Sequence, residues 1–124
     1  MTLTELSPSE VAARVLRSGP LDPTVRVEGP RTVVALRGEA DISTRPVLSD
    51  VLSLVIATRT GDVVIDLAEL EFIDSATVRL LATAHQLLDR HDRKLTFRSP
   101  SRLAVRVLAV FELTRLIEPT ADPR

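Results

Sequence analysis

Ser75, Ala76 and Thr77 follow directly on Asp74, and this cluster is where the chain could carry chemistry. Glu71-Phe72-Ile73 brings an apolar strand end up to the carboxylate, and Val78-Arg79-Leu80-Leu81 continues as an amphipathic helix. A helix start has free backbone N–H groups and the positive end of the helix dipole. Small hydroxyl residues at that point can be modified or approached closely by another protein. Asp74 is suited to cap the helix, a contribution of about 1 kcal/mol. A second polar cluster, Asp41-Ile42-Ser43-Thr44, precedes Pro46, and Thr44 can cap a helix whose early position carries that proline.

Other arrangements carry less. His85 and His91 lie six positions apart, roughly 120° around a helix, so one metal ion does not readily join them. A Ser75–His85 dyad fails because ten residues of helix separate the two by about 15 Å. Asp41, Asp66 and Asp74 can be imagined around Mg²⁺, but Asp66 sits within a strand, and capping and loop solvation account for the other two. Gly19, Gly29, Gly38 and Gly61 are scattered, with no phosphate-cradling loop. The expectation is no enzyme, no catalytic residue, no metal and no cofactor.

Composition narrows the classes further. The 124 residues suit one domain, and 44% hydrophobic content is enough for a core, which must be built from Leu, Val, Ile and Ala because aromatics are only 2%, all Phe. A net charge of −1, no basic block and no Trp or Tyr argue against nucleic-acid binding. No apolar run approaches the roughly 18 residues of a membrane span. The first residues, Met1 to Pro8, lack a basic start and an apolar centre, so no secretory signal is expected. With no cysteine, thiol chemistry is excluded. A soluble cytoplasmic protein is the resulting expectation.

The elements that must position the clusters can be read from periodicity. Ser7-Pro8-Ser9-Glu10 starts a short amphipathic helix over Pro8 to Ser18, with Val11, Ala12, Val15 and Leu16 on one face. Gly19-Pro20 ends it, and Pro20 to Pro23 reads as a linker, giving an N-terminal extension over 1–22 and a domain over 23–120. Val25 to Glu28 and Thr32 to Arg37 read as an antiparallel hairpin, with Gly38 breaking its second strand. Val47, Leu48, Val51, Leu52, Leu54 and Val55 form a helical stripe ending near Thr58. Asp62 to Leu67 is a strand buried on both faces. Ala68 to Ser75 reads as a loop. The helix from Asp74 runs to about Arg90, with Val78, Leu81, Ala84 and Leu88 inward. Leu95 to Arg98 is a strand, and Ser99-Pro100-Ser101 caps a last helix with Leu103, Val107, Leu108 and Phe111 inward. Leu116 to Glu118 reads as an edge strand, and Ala121 to Arg124 as a frayed end.

This order predicts an α/β fold: a mixed sheet with an N-terminal antiparallel hairpin followed by parallel βα units joined by right-handed crossovers. Loops leaving parallel strands lie at one edge of a sheet, the usual place for sites. Glu39 to Thr44, Ala68 to Ser75 and Ser99 to Ser101 should therefore share a rim, with Asp41 and Ser75 as neighbours. The expected protein-binding surface comprises Asp41, Ser43, Thr44, Asp74, Thr77 and Arg79.

Three patterns in order resemble the STAS domain of anti-sigma factor antagonists from about Val25 to Pro119. They are Gly38-Glu39-Ala40-Asp41 with Thr44 and Pro46, then Val63-Val64-Ile65-Asp66-Leu67 with Phe72-Ile73-Asp74-Ser75, then Ser99-Pro100-Ser101 with Val105 to Leu113. The resemblance implies partner switching: binding to an anti-sigma factor that is also a serine kinase of the histidine-kinase-like ATPase fold, release of a sigma factor, inactivation by phosphorylation of a helix-start serine, and restoration by a serine phosphatase. In the family motif, apolar-Asp-Ser-Ser-Gly-Leu, Asp74 matches the Asp, Ser75 the first Ser, Ala76 the usual acceptor and Thr77 the Gly. Ala76 has no hydroxyl. The acceptor has moved to Thr77 or Ser75, the domain is unswitched, or Ala76 is an engineered block. An alternative function within the same fold is the STAS subunit of a phospholipid-transport ABC complex docked on its ATPase. The oligomeric state stays open.

Overall fold

The computed structural model describes residues 20–119. The helix expected over Pro8 to Ser18 and the frayed end at Ala121 to Arg124 lie outside the described residues. Strands β1 (Leu21–Glu28) and β2 (Arg31–Ala40) form the antiparallel hairpin, paired from Leu21↔Gly38 to Glu28↔Arg31. The turn needs only the positive φ of Gly29, 62°, which glycine adopts at no steric cost. Both strands exceed their expected lengths. Leu21 and Val25 are buried on the same face of β1, so the segment expected as a linker is strand from Leu21 onward. Pro23 is tolerated because β1 is an edge strand. Gly38 does not end β2. It holds φ at 99° and lets Pro20 come so close that a Cβ would lie 2.0 Å from the Pro20 carbonyl oxygen. The strand then continues to Ala40, and the Glu39 N–H donates to that same oxygen at 3.2 Å.

Helix α1 (Arg45–Thr58), strand β3 (Val63–Ile73), helix α2 (Ser75–Asp89), strand β4 (Leu95–Arg98) and helix α3 (Arg102–Val110) complete the order, with sheet order β1-β2-β3-β4 and β2, β3 and β4 parallel. Leu48, Val51, Leu52 and Val55 of α1, Val78, Leu81 and Leu88 of α2, and Ala104 and Leu108 of α3 meet Val34, Leu36, Ile65, Leu67 and Phe97 in one core. Val63 to Ile65 and Leu67 are fully buried, as a central strand requires.

β3 is longer than its apolar run because it contains two bulges. Its pairing with β2 steps from Ala35↔Asp66 to Arg37↔Glu69 and from Gly38↔Leu70 to Glu39↔Phe72, an extra β3 residue each time. The Asp66 carboxylate accepts the Ala68 N–H at 3.0 Å, satisfying a donor freed at the first bulge. The stretch expected as a loop from Ala68 is therefore strand up to Ile73. β4, by contrast, ends with Arg98 opposite Asp66, seven residues before Ile73. At roughly 3.3 Å per residue, the Ser99 to Ser101 loop stops about 20 Å short of the rim, so two loops share it and not three.

Two more expectations are corrected at the C-terminal end. Ser101 caps α3 through the Ala104 N–H at 3.1 Å, but Ala104 and Leu108 face inward while Leu103 is 44% exposed. One residue is about 100° of helix, enough to turn Leu103 off the buried stripe. Leu116 to Glu118 is not a strand. A 3₁₀ turn over Thr114–Leu116 leads to a single parallel bridge, Phe97↔Ile117, with the Glu118 N–H on the Phe97 carbonyl at 2.8 Å.

That bridge fixes Glu118 on the face of the sheet opposite the core. Arg98 donates to Glu118 and Glu28, and Arg31 donates to both, at 2.8–3.1 Å. Val33 and Val64, paired on this second face, are 0% exposed among these charges. The hydrogen bond from Arg98, with the nearby charges of Arg98, Arg31 and Arg26, lowers the Glu28 pKa to about 2 from an ordinary 4.5. A carboxylate depressed in the folded state stabilises the fold above its unfolded pKa, and that contribution is lost as pH falls from 4.5 toward 2. The melting temperature should accordingly fall through this window, and Glu28→Gln, less stable at neutral pH, should show a shallower fall by scanning calorimetry. Leu81→Ala, which empties a fully buried position, should cost about 2–5 kcal/mol in urea titrations.

Candidate functional site

The site begins with the parallel pairing of Ala40 with Ile73. The Asp74 N–H donates to the Ala40 carbonyl at 3.1 Å, so Asp41 and Asp74 leave adjacent strands side by side. The expected meeting of the Asp41 loop with the start of α2 is therefore present.

On the β2 side, Asp41 organises its own turn. One carboxylate oxygen accepts the Ser43 hydroxyl at 2.6 Å, the Ser43 N–H at 2.9 Å and the Thr44 N–H at 3.1 Å. The Ser43 hydroxyl bond, together with the backbone donors of Thr44 and Ser43, holds the Asp41 pKa below the usual carboxylate range. Thr44 is buried and occupies the N-cap position of α1, yet its side chain makes no capping bond. Its hydroxyl accepts the Asp41 N–H at 2.9 Å and donates to the Glu39 carbonyl at 3.1 Å. Thr44 thus locks the turn instead of capping the helix, and it lies off the surface. Asp41 is partly exposed, and Ser43 and Ile42 are exposed.

On the β3 side, Asp74 caps α2 as expected. Its carboxylate accepts both the Thr77 N–H at 2.9 Å and the Thr77 hydroxyl at 2.8 Å. Thr77 is 0% exposed. This places it beneath the expected binding surface, with its hydroxyl turned to Asp74. The sequence held the signal: Thr77, Leu81, Ala84 and Leu88 share one helical stripe. Ser75 is exposed at the first helical position, and Ala76 is partly exposed.

Arg79 is exposed, its guanidinium 6.0 Å from the centre of the Phe111 ring, a cation–π contact between α2 and the end of α3. It also lines a groove of about 360 Å³ between α1 and α2, with Arg45, Ser49 and Ala76. Arg45 was not singled out from the sequence; its place beside Pro46 at a helix start was the available signal. The remaining candidates lie elsewhere. Asp66 points to the second face of the sheet, 3.9 Å from Arg26, and no group of three potential metal ligands exists among the described residues. No helix among the described residues is long and apolar enough to cross a membrane.

A family profile described as "Mlab, STAS domain" matches residues 24–118, most of the chain. The chain belongs to the STAS family. A crystal structure of an anti-sigma factor antagonist from Mycobacterium paratuberculosis is 25% identical, with a TM-score of 0.74 over 82% of this chain and 88% of that one. The anti-sigma factor antagonist SpoIIAA in its unphosphorylated form shares the fold at 16% identity, with a TM-score of 0.69 over 81% of this chain and 89% of that one. The phosphorylated form of SpoIIAA from Bacillus shares it at 19% identity and a TM-score of 0.66, over 81% and 92%. No curated protein sequence matches the chain.

Within this STAS domain the three residues after the cap have different fates, and charge substitution separates them. Thr77→Glu would bury a carboxylate beside Asp74 and should destabilise by about 3 kcal/mol or more. Ser75→Glu places the same charge in water at the positive end of the helix, and should leave stability unchanged or raise it by about 0.3–1 kcal/mol. Thermal and urea unfolding of the two variants checks the contrast.

Proposed function

We propose that this STAS domain is a protein-binding module that sequesters an anti-sigma factor and thereby frees a sigma factor. The observation that carries the reading is the rim, where one backbone hydrogen bond joins the Asp41 turn to the start of α2. The likeness at 25% identity to the Mycobacterium paratuberculosis antagonist supports it. The partner is an anti-sigma factor of the histidine-kinase-like ATPase fold, encountered in the cytoplasm. The domain acts by docking and not by catalysis. The docking domain starts at Leu21, where β1 begins and enters the core, two residues before the boundary expected at 23, and the residues before it are an N-terminal extension. Asp41, Ser43, Asp74, Arg79 and the exposed Ser75 form the contact, while Thr44 and Thr77 support it from beneath.

Switching is where this chain departs from the family motif. Ala76, at the acceptor position, carries no hydroxyl, and the Thr77 hydroxyl is buried and bonded to Asp74. Ser75 is the one exposed hydroxyl of the three. Its place at the first turn matches the first Ser of the motif and not the acceptor. We take the domain to be unswitched at this site, so that it stays competent to bind while its kinase is active and offers a serine phosphatase no substrate.

A second reading is the STAS subunit of a phospholipid-transport ABC complex. It is retained because the matching family is described by the name Mlab and not by sigma-factor regulation.

Calorimetry with a kinase-fold anti-sigma factor and with an ABC ATPase subunit from the same genome separates the readings. Binding of the first alone supports the antagonist; binding of the second alone overturns it. Asp41→Ala and Arg79→Ala should each weaken the interaction by about tenfold, the loss of roughly one charge-assisted contact. With kinase and ATP, intact mass should stay unchanged, and Ala76→Ser should gain one phosphate. Stoichiometric phosphate on Ser75 in the unaltered chain overturns the unswitched reading.

A further inference from the structure

We propose that the groove between α1 and α2 receives a carboxylate-bearing segment of the partner protein, held between Arg45 and Arg79. This rests on the reading above that a partner docks at the rim, and it specifies the chemistry that the partner must present.

The groove is positive by construction. Arg45 opens α1 and Arg79 lies one turn into α2, and no acidic residue lines the space between them. Arg26, Arg31, Arg37 and Arg98 each pair with a carboxylate on the sheet face, whereas Arg45 and Arg79 pair with none among the described residues. Both helices start at this groove, and neither has an acidic residue in its first turn. The cap of α2, Asp74, is already engaged by Thr77. The negative carboxylates of Asp74 and Asp41 offset the dipoles at the two helix starts, so the guanidinium groups of Arg45 and Arg79, unpaired among the described residues, supply the positive potential at the opening.

Ala76 lies in the same groove. A serine there would be positioned to carry its own phosphate between the two arginines. This chain has no such group, so the complementary anion has to come from outside. The Arg79 guanidinium carbon lies 6.0 Å from the centre of the Phe111 ring, and the planar N–H fork of an arginine suits an in-plane, bidentate acceptor, the geometry a carboxylate offers. The Ser49 hydroxyl supplies a further donor. Pro46 and Leu80 border the opening with apolar surface, which suits an acidic side chain on a helix or loop with apolar neighbours more than a free ion.

A short amphipathic peptide with glutamates along one face and leucines along the other serves as the probe, beside a twin in which every glutamate is lysine. In a heteronuclear NMR titration of the full chain, the acidic peptide should shift the amides of Arg45, Ser49, Ala76 and Arg79, with the effect fading as salt is raised. The lysine twin should shift none of them. Arg45→Gln with Arg79→Gln should abolish the response, and Arg45→Lys with Arg79→Lys should retain part of it. Both arginines are exposed, so the variants should keep the parent spectrum elsewhere. No response to the acidic peptide, equal responses to the two peptides, or shifts confined to another face each overturn the proposal. An anti-sigma factor that binds the double Gln variant as tightly as the parent also overturns it while leaving the antagonist reading intact. A groove that takes the acidic peptide in a chain that binds no anti-sigma factor leaves this inference standing and removes the antagonist reading.

Discussion

The site depends on one matching of lengths. Between the first and last of their paired residues, β2 runs from Thr32 to Ala40 and β3 from Val63 to Ile73, so β3 has two more residues to place along the same ladder. The two bulges absorb that surplus, and Ile73 finishes level with Ala40. Without them Asp74 would overshoot the end of β2 by two residues, roughly 7 Å at the strand rise. Its N–H would miss the Ala40 carbonyl, and the α2 start would separate from the Asp41 turn. The bulges carry a conformational cost in the middle of the sheet, and the Asp66 side chain offsets part of it by bonding the Ala68 N–H. A residue on the far face thus helps to set the height of the rim.

Helical geometry then sorts the residues that follow. Successive positions turn by about 100°, so Ser75, Ala76 and Thr77 point in three directions within one turn. Thr77 faces the core and turns its hydroxyl back to Asp74, Ser75 faces water, and Ala76 faces the groove shared with α1. Three small residues that look interchangeable on paper have one buried bond, one solvated hydroxyl and one apolar floor among them. The cap makes this division rigid, because the Asp74 carboxylate holds both the backbone and the side chain of Thr77.

Much of the fold was legible in the sequence where one force dominates. Val63 to Leu67 reads as a central strand because burial on both faces leaves no room for polar residues. The α2 stripe of Val78, Leu81, Ala84 and Leu88 reads as helix because its period is undisturbed. What escaped was set by more than one force. The tail of β3 lost its period of two to the bulges and read as a loop. Leu21 to Pro23 read as a linker because proline masks strand character that an edge position permits. Thr44 and Thr77 read as surface residues because a threonine hydroxyl suggests water, and only the fold reveals a nearby carbonyl or carboxylate to satisfy it. Of the candidate site, the nearness of Asp41 to Asp74 and the exposure of Ser43, Ser75 and Arg79 follow from the strand order and the helix start. Arg45 was passed over although its place beside Pro46 marks a helix start, because its closeness to Arg79 depends on how two helices pack.

The two outer strands also constrain how this molecule can meet others. β1 contains Pro23, which offers no N–H to a neighbouring strand. β4 is only four residues long, and its Phe97 carbonyl is already taken by Glu118 beyond the Ile117 bridge. Both margins of the sheet are therefore poor templates for strand addition. Copies of the domain crowded together have no ready route to a continuous intermolecular sheet. A binding partner that recognised targets by lending them a strand would find no purchase here, so selection for new partners has to work through side chains on the helices and the rim, where single substitutions alter affinity without endangering solubility.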